Sequence, residues 1–217
     1  MHKRIENRGG IRYFKINKAL THLCWTYVGF EVYRLSPGQR MKKETGDQEV
    51  CLVLLSGKAN VATSELKLDN IGQRMNVFEQ ISPYSVYVPN GDFFEVTATT
   101  ELELAVCAAP GYGSHPARLI APDQIGVETR GYGNIERRIH NILPEQSPAD
   151  SLLVVEVFTP NGHWSSYPPH KHDQDNLPNE SYLEETYYVS LFWKYIDHAS
   201  STQRMEYQNI FEGAVDL

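Results

Sequence analysis

Cysteine is scarce in this chain. The three present, Cys24, Cys51 and Cys107, are odd in number and far apart, so they form neither a disulfide framework nor a Cys-x-x-Cys metal pair. A reducing, cytoplasmic setting with small buried thiols is the expectation. Long apolar runs are also missing. No stretch reaches the roughly 18 apolar residues that a membrane-spanning helix needs, and residues 1–10 lack the apolar segment of a secretory leader. Helical periodicity is weak throughout. Positive charge is short as well: 20 Lys and Arg stand against 27 Asp and Glu, a net charge of −7. A chain this acidic is a poor general binder of nucleic acid, since phosphate contacts need a basic face. Otherwise, 41% hydrophobic and 22% charged residues are ordinary for a globular protein, which excludes collagen-like, coiled-coil and wholly disordered readings.

The deficit of basic residues is uneven. Residues 1–138 carry 17 basic and 15 acidic residues, whereas residues 139–217 carry 3 and 12, with five of the eight histidines. Carboxylates and imidazoles in one region are raw material for a metal site, although a solvated acidic face is the commoner outcome.

At 217 residues the chain is one large domain or two small ones. The pattern is β. Phe30-Glu31-Val32-Tyr33-Arg34-Leu35 alternates and runs into the turn Ser36-Pro37-Gly38. Val50-Cys51-Leu52-Val53-Leu54-Leu55 is continuously apolar, as a strand buried on both faces would be. Further short strands are expected at residues 58–63, 86–88, 94–99 and 101–107, a spacing that predicts a sandwich or barrel. Residues 109–133 are dense in Gly and Pro and read as a connector. Beyond it, residues 151–159 form a strand leading into Pro160-Asn161-Gly162. This echoes the earlier strand-to-Gly38 passage and suggests an internal duplication.

The segment richest in chemistry is Tyr167-Pro168-Pro169-His170-Lys171-His172-Asp173, followed by Leu183-Glu184-Glu185-Thr186-Tyr187-Tyr188. In a strand, residues two apart share a face. His170 and His172 would then aim two imidazoles at one point, and a Glu from a neighbouring strand would complete an N,N,O set suited to Zn, Mn, Fe or Ni. A bare His-x-His is more often an exposed loop. Its position behind a strand–Pro–Gly turn and ahead of Glu-Glu-x-Tyr-Tyr reverses those odds.

The arrangement resembles the cupin metal motif. A degenerate copy stands in the first half, with Glu44 and Gly46 where the two histidines would be, then Glu49, and Phe94 in the histidine's place of Pro89-Asn90-Gly91-Asp92-Phe93-Phe94. The longer string is more specific. Residues 130–145 and 152–173, with Arg130-Gly131, Asn134-Ile135-Glu136-Arg137 and the His-x-His segment, closely resemble the 5-deoxy-glucuronate isomerase family of bacterial inositol catabolism, related to the uronate isomerases of pectin degradation. The resemblance covers about residues 1–188.

It implies an all-β bicupin, two tandem jelly-roll barrels with the second incomplete. Residues 1–108 would form a degenerate barrel without metal ligands, 109–133 a connector, 134–188 the first part of a metal-binding barrel, and 189–217 a divergent tail. His170, His172 and Glu185 match the metal ligands, with Glu184 the fallback if the register slips by one. The implied reaction is an intramolecular oxidoreduction, an aldose–ketose isomerisation of 5-deoxy-D-glucuronate to 2-deoxy-5-keto-D-gluconate. A proton leaves C2 and arrives at C1, aided by a divalent cation, Zn or Mn foremost. Glu184 and His163 are candidates for the proton shuttle. Arg137, then Lys171, would grip the substrate carboxylate; a surface ion pair is an equally good reading of Arg137. Trp164 and Tyr167 could stack on the sugar, with core packing the blander alternative. The partner is a small sugar acid, with no nucleic acid and no membrane, and a homo-oligomer is left open.

The sequence departs from that family after Tyr188. No proline follows Pro178, Gly213 is the one glycine after Gly162, and His198 is the one histidine after His172, so the family's fourth ligand, on a Pro-x-Gly turn, has no counterpart. Residues 190–196 read as a strand and residues 201–211 as a short helix or disorder. The tail is therefore expected to be foreign to the family, with weakened metal binding and poor turnover. An inactive relic and a non-catalytic sugar-acid-binding cupin are the competing readings. A DNA-binding cupin would need an added helix-turn-helix, for which the tail is too short and too acidic.

Overall fold

The computed structural model describes residues 5–8, 11–15, 27–165, 172, 174–176, 179, 181–195 and 203–216. The strands are β1 (Ile5–Arg8), β2 (Ile11–Lys15), β3 (Gly29–Leu35), β4 (Arg40–Glu44), β5 (Gln48–Ser56), β6 (Ala59–Ala62), β7 (Lys67–Ile71), β8 (Ser85–Val88), β9 (Phe93–Ala98), β10 (Leu102–Pro110), β11 (Arg118–Ile120), β12 (Gly126–Arg130), β13 (Arg137–Leu143), β14 (Leu152–Pro160), β15 (Leu183–Tyr195) and β16 (Gln203–Asp216). The expected all-β class is found. Among the described residues the only helical pieces are single 3-10 turns.

Three sheets stack in layers. A four-stranded sheet, β4-β9-β6-β7, faces a seven-stranded sheet, β1-β2-β3-β10-β5-β8-β11. The space between them is filled by Leu35, Leu52, Leu54, Val61, Val86, Phe94, Val96 and Leu104 among others. The other face of the seven-stranded sheet presents Phe30, Val32, Cys51, Val53, Leu55 and Cys107. It packs against Ile142, Leu143, Leu152 and Val154 of a five-stranded sheet, β12-β13-β14-β16-β15. The middle sheet is thus covered on both sides. This accounts for the unbroken apolar run in β5: Leu52 and Leu54 enter one core, while Cys51, Val53 and Leu55 enter the other. Phe94, which the resemblance set in a histidine's place, is buried in the first of these cores.

The two strand-to-glycine turns share a backbone conformation. Gly38 after β3 and Gly162 after β14 have φ of 82° and 80°, the left-handed region that a Cβ disfavours.

Two expectations need correction. The stretch read as a connector holds β11, on the edge of the seven-stranded sheet, and β12, on the edge of the five-stranded one, so the crossing shrinks to residues 121–125. β11 is three residues long and β12 is exposed throughout, so neither produces an alternation that stands out against the surrounding Gly and Pro. The tail is not helical either. β16 lies between β14 and β15 and pairs with both. The absence of proline from this region suits a strand that must donate on both sides.

Candidate metal centre

The alternation of β15 sorts its side chains onto two faces. Glu184, Thr186 and Tyr188 turn toward the seven-stranded sheet. Glu184 Oε2 accepts from the backbone N–H groups of Tyr27 at 2.7 Å and Val28 at 2.6 Å. Thr186 is buried. The Tyr188 ring lies 6.1 Å from Phe30, and its hydroxyl donates to Glu103 Oε1 at 2.7 Å. Glu185, Tyr187, Val189 and Leu191 take the opposite, outer face, where the last three are exposed. There the Tyr187 hydroxyl donates to Glu185 Oε2 at 2.6 Å.

His172 is tied to the start of the same strand, its carbonyl accepting from Leu183 N–H at 3.0 Å. Its Nδ1 is 3.2 Å from the Ser181 carbonyl. A carbonyl only accepts, so Nδ1 carries the proton and the basic lone pair sits on Nε2, the usual arrangement of a ligating imidazole. His172 stands in a turn with φ of 77°, not in a strand, so strand alternation does not set its direction. A positive φ outside glycine costs on the order of 1–3 kcal/mol and persists only where neighbours hold it. His170, Lys171 and Tyr167 lie outside the described residues. Among the described residues no three His, Cys, Asp or Glu side chains gather as a metal cluster. The two expected donors that are described do fit such a site chemically: one nitrogen and one carboxylate, each steadied by a second partner.

Other expected site residues stand apart. His163 Nδ1 donates to the Glu136 carbonyl at 2.7 Å, Trp164 N–H donates to Asn134 O at 2.8 Å, and Arg137 Nη1 donates to Ile135 O at 3.0 Å. These residues cluster where β14 ends and β13 begins. Through β16, Glu185 is level with Leu153, whereas Arg137 is beside Thr159. Six residues of strand are about 20 Å. The fold therefore sets His172 at the start of β15, the strand that carries Glu185, and clusters Arg137 with His163 and Trp164 at the other end of the sheet. Glu184 is on the face away from Glu185.

The sequence reading missed a buried ionic cluster between the layers. Arg74 donates from both terminal nitrogens to Glu156, at 2.8 and 2.7 Å, and also to the carbonyls of Leu55 and Ile81 at 2.8 Å. His140 Nδ1 donates to Glu156 Oε2 at 3.0 Å, with its ring edge-on to Phe158. All three residues are fully buried or nearly so. Burial alone would raise the Glu156 carboxyl, but the Arg74 charge and the bonds from His140 and Arg74 outweigh it and hold it below the ordinary value. A lone Glu inside the apolar run Val154-Val155-Glu156-Val157-Phe158 was the available signal. Glu49 has a similar structural role. Its carboxylate accepts from Tyr87 Oη and from three successive backbone N–H groups, Asp150, Ser151 and Leu152, at 2.6–2.7 Å.

The chain is 68% identical over 181 residues to a 5-deoxy-glucuronate isomerase of Geobacillus thermodenitrificans, a match covering 83% of this chain and 65% of that protein. It is 70% identical over 164 residues to the protein of the same name in Geobacillus kaustophilus, covering 76% and 59% respectively. The chain therefore spans less than two thirds of the length of these curated relatives. A crystal structure of an IolB-like protein from Salmonella typhimurium superposes with a TM-score of 0.81 at 40% identity, covering 94% of this chain and 88% of that one. The model of the KduI/IolB family matches residues 3–204, running past Tyr188 and through both the His-x-His segment and β15, and on that match the chain belongs to the KduI/IolB family.

Proposed function

We propose that this chain is a metal-dependent aldose–ketose isomerase that converts 5-deoxy-D-glucuronate to 2-deoxy-5-keto-D-gluconate in the cytoplasm. The observation that carries the reading is the family match over residues 3–204, a range that includes residues 170–185, together with the name shared by the relatives at 68% and 70% identity.

His170, His172 and Glu185 would hold a divalent cation, Zn or Mn. The Ser181 carbonyl on His172 Nδ1 and the Tyr187 hydroxyl on Glu185 support that set, since ligands of this kind are steadied by outer partners. The cation, when bound, supplies a Lewis acid that makes the C–H beside the sugar carbonyl more acidic. The substrate carboxylate needs a cationic partner. Lys171 stands between the two motif histidines in sequence, whereas Arg137 is at the other end of the sheet, so the reading assigns that task to Lys171. Glu184, committed to the Tyr27 and Val28 N–H groups, anchors β15 to the first unit and takes no part in proton transfer. Residues 1–108 serve as the scaffold against which the metal-binding sheet packs.

The test is proton NMR of 5-deoxy-D-glucuronate incubated with the purified chain, after chelation and after reloading with Zn or Mn. Ketose formation should be absent in the chelated protein and return on reloading. Equal turnover with and without chelator, or none with any divalent metal, overturns the reading.

A further inference from the structure

We infer that Tyr187 is the positioning residue for the Glu185 carboxylate, fixing it for cation binding. The inference rests on the proposed metal set and goes one step beyond it. Tyr187 and Glu185 are two residues apart on β15 and so share its outer face. The Tyr187 hydroxyl donates to Glu185 Oε2 at 2.6 Å, the short distance of a charge-assisted bond between a phenol and a carboxylate. A glutamate has three rotatable side-chain bonds, and a strong bond at one oxygen removes most of that freedom before any cation arrives. The backbone beneath is held as well. Glu184, the preceding residue, is locked to Tyr27 and Val28 on the opposite face, so β15 cannot roll to exchange the two carboxylates. Tyr187 is 46% exposed, so its hydroxyl is not there to satisfy a core. Its strand neighbours on that face, Val189 and Leu191, carry no polar group that could do the same.

The experiment is a Co(II) titration of the full chain, followed by visible absorption, for the parent protein, Tyr187→Phe and Glu185→Gln. Tyr187→Phe should keep the unfolding temperature of the parent, bind Co(II) about 10-fold more weakly and shift the absorption band, because the ligating oxygen is no longer fixed. Glu185→Gln should weaken binding further. Parent-like affinity and an unshifted band in Tyr187→Phe, with Glu185→Gln still impaired, overturn the role of Tyr187 and leave the metal set standing. Parent-like binding by both variants removes Glu185 from the metal set, and the inference falls with it.

Discussion

Arg74, Glu156 and His140 place a charged cluster where the layering leads one to expect only apolar contact. Removing one member of a buried pair leaves the other charge without compensation, at a cost of about 3–5 kcal/mol. Arg74→Met should lower stability by that amount in urea unfolding at neutral pH, and Arg74→Met with Glu156→Gln should recover part of it. The pH dependence has a fixed sign. Because the Glu156 carboxyl is held below its ordinary 4.5, its contribution is complete above that value and is lost as the pH falls through the lower folded value. Unfolding free energy measured between about pH 5 and pH 3 should therefore drop more steeply in the parent than in the double variant. A parent curve no steeper than the variant's would contradict this account of Glu156. The cluster was only half legible in sequence. Glu156 is conspicuous inside an apolar strand, but Arg74 sits in the polar stretch Gly72-Gln73-Arg74-Met75, and nothing local reveals that its guanidinium crosses between layers.

Elements with one strong pattern were readable, and those defined by their partners were not. β5 was visible as a doubly covered strand because both of its faces are apolar, and β3, β9 and β14 because they alternate or lead into a glycine turn. β11 and β12 escaped because they are edge strands that neither alternate nor bury a full face. β16 escaped because its position between β14 and β15 is a property of the ladders on either side. β14 also owes its place to a residue far away in sequence: Glu49 caps its start by accepting the N–H groups of Asp150, Ser151 and Leu152. Glu49→Gln replaces an acceptor pair with one acceptor and one donor facing those N–H groups and the Tyr87 hydroxyl. The expected loss is about 3 kcal/mol, read by thermal or urea unfolding, with the fastest hydrogen exchange at the start of β14. Unchanged stability would show that Glu49 does not hold the layers together. The resemblance set Glu49 in a degenerate copy of the motif, but only the fold reveals that its carboxylate faces the start of β14.

At the scale of the whole molecule, β15 lies in the acidic part of the chain, residues 139–217, and its two faces carry side chains with different partners. The inner face, through Glu184 and Tyr188, belongs to the packing of the second unit on the first. The outer face carries Glu185 and Tyr187, joined by a hydrogen bond of 2.6 Å, and is the face on which the proposed metal set draws. The resemblance favoured Glu185 as ligand and kept Glu184 as the fallback one register away; which side of the strand meets the first unit is visible only in the fold. The most direct test of this account is the metal bound per chain after equilibration with Zn or Mn and removal of excess, compared between Glu184→Gln and Glu185→Gln at a temperature where both remain folded. The account predicts that Glu184→Gln is less stable but retains metal like the parent, whereas Glu185→Gln is as stable as the parent and loses it. Metal lost from Glu184→Gln and kept by Glu185→Gln would contradict the assignment of the two faces.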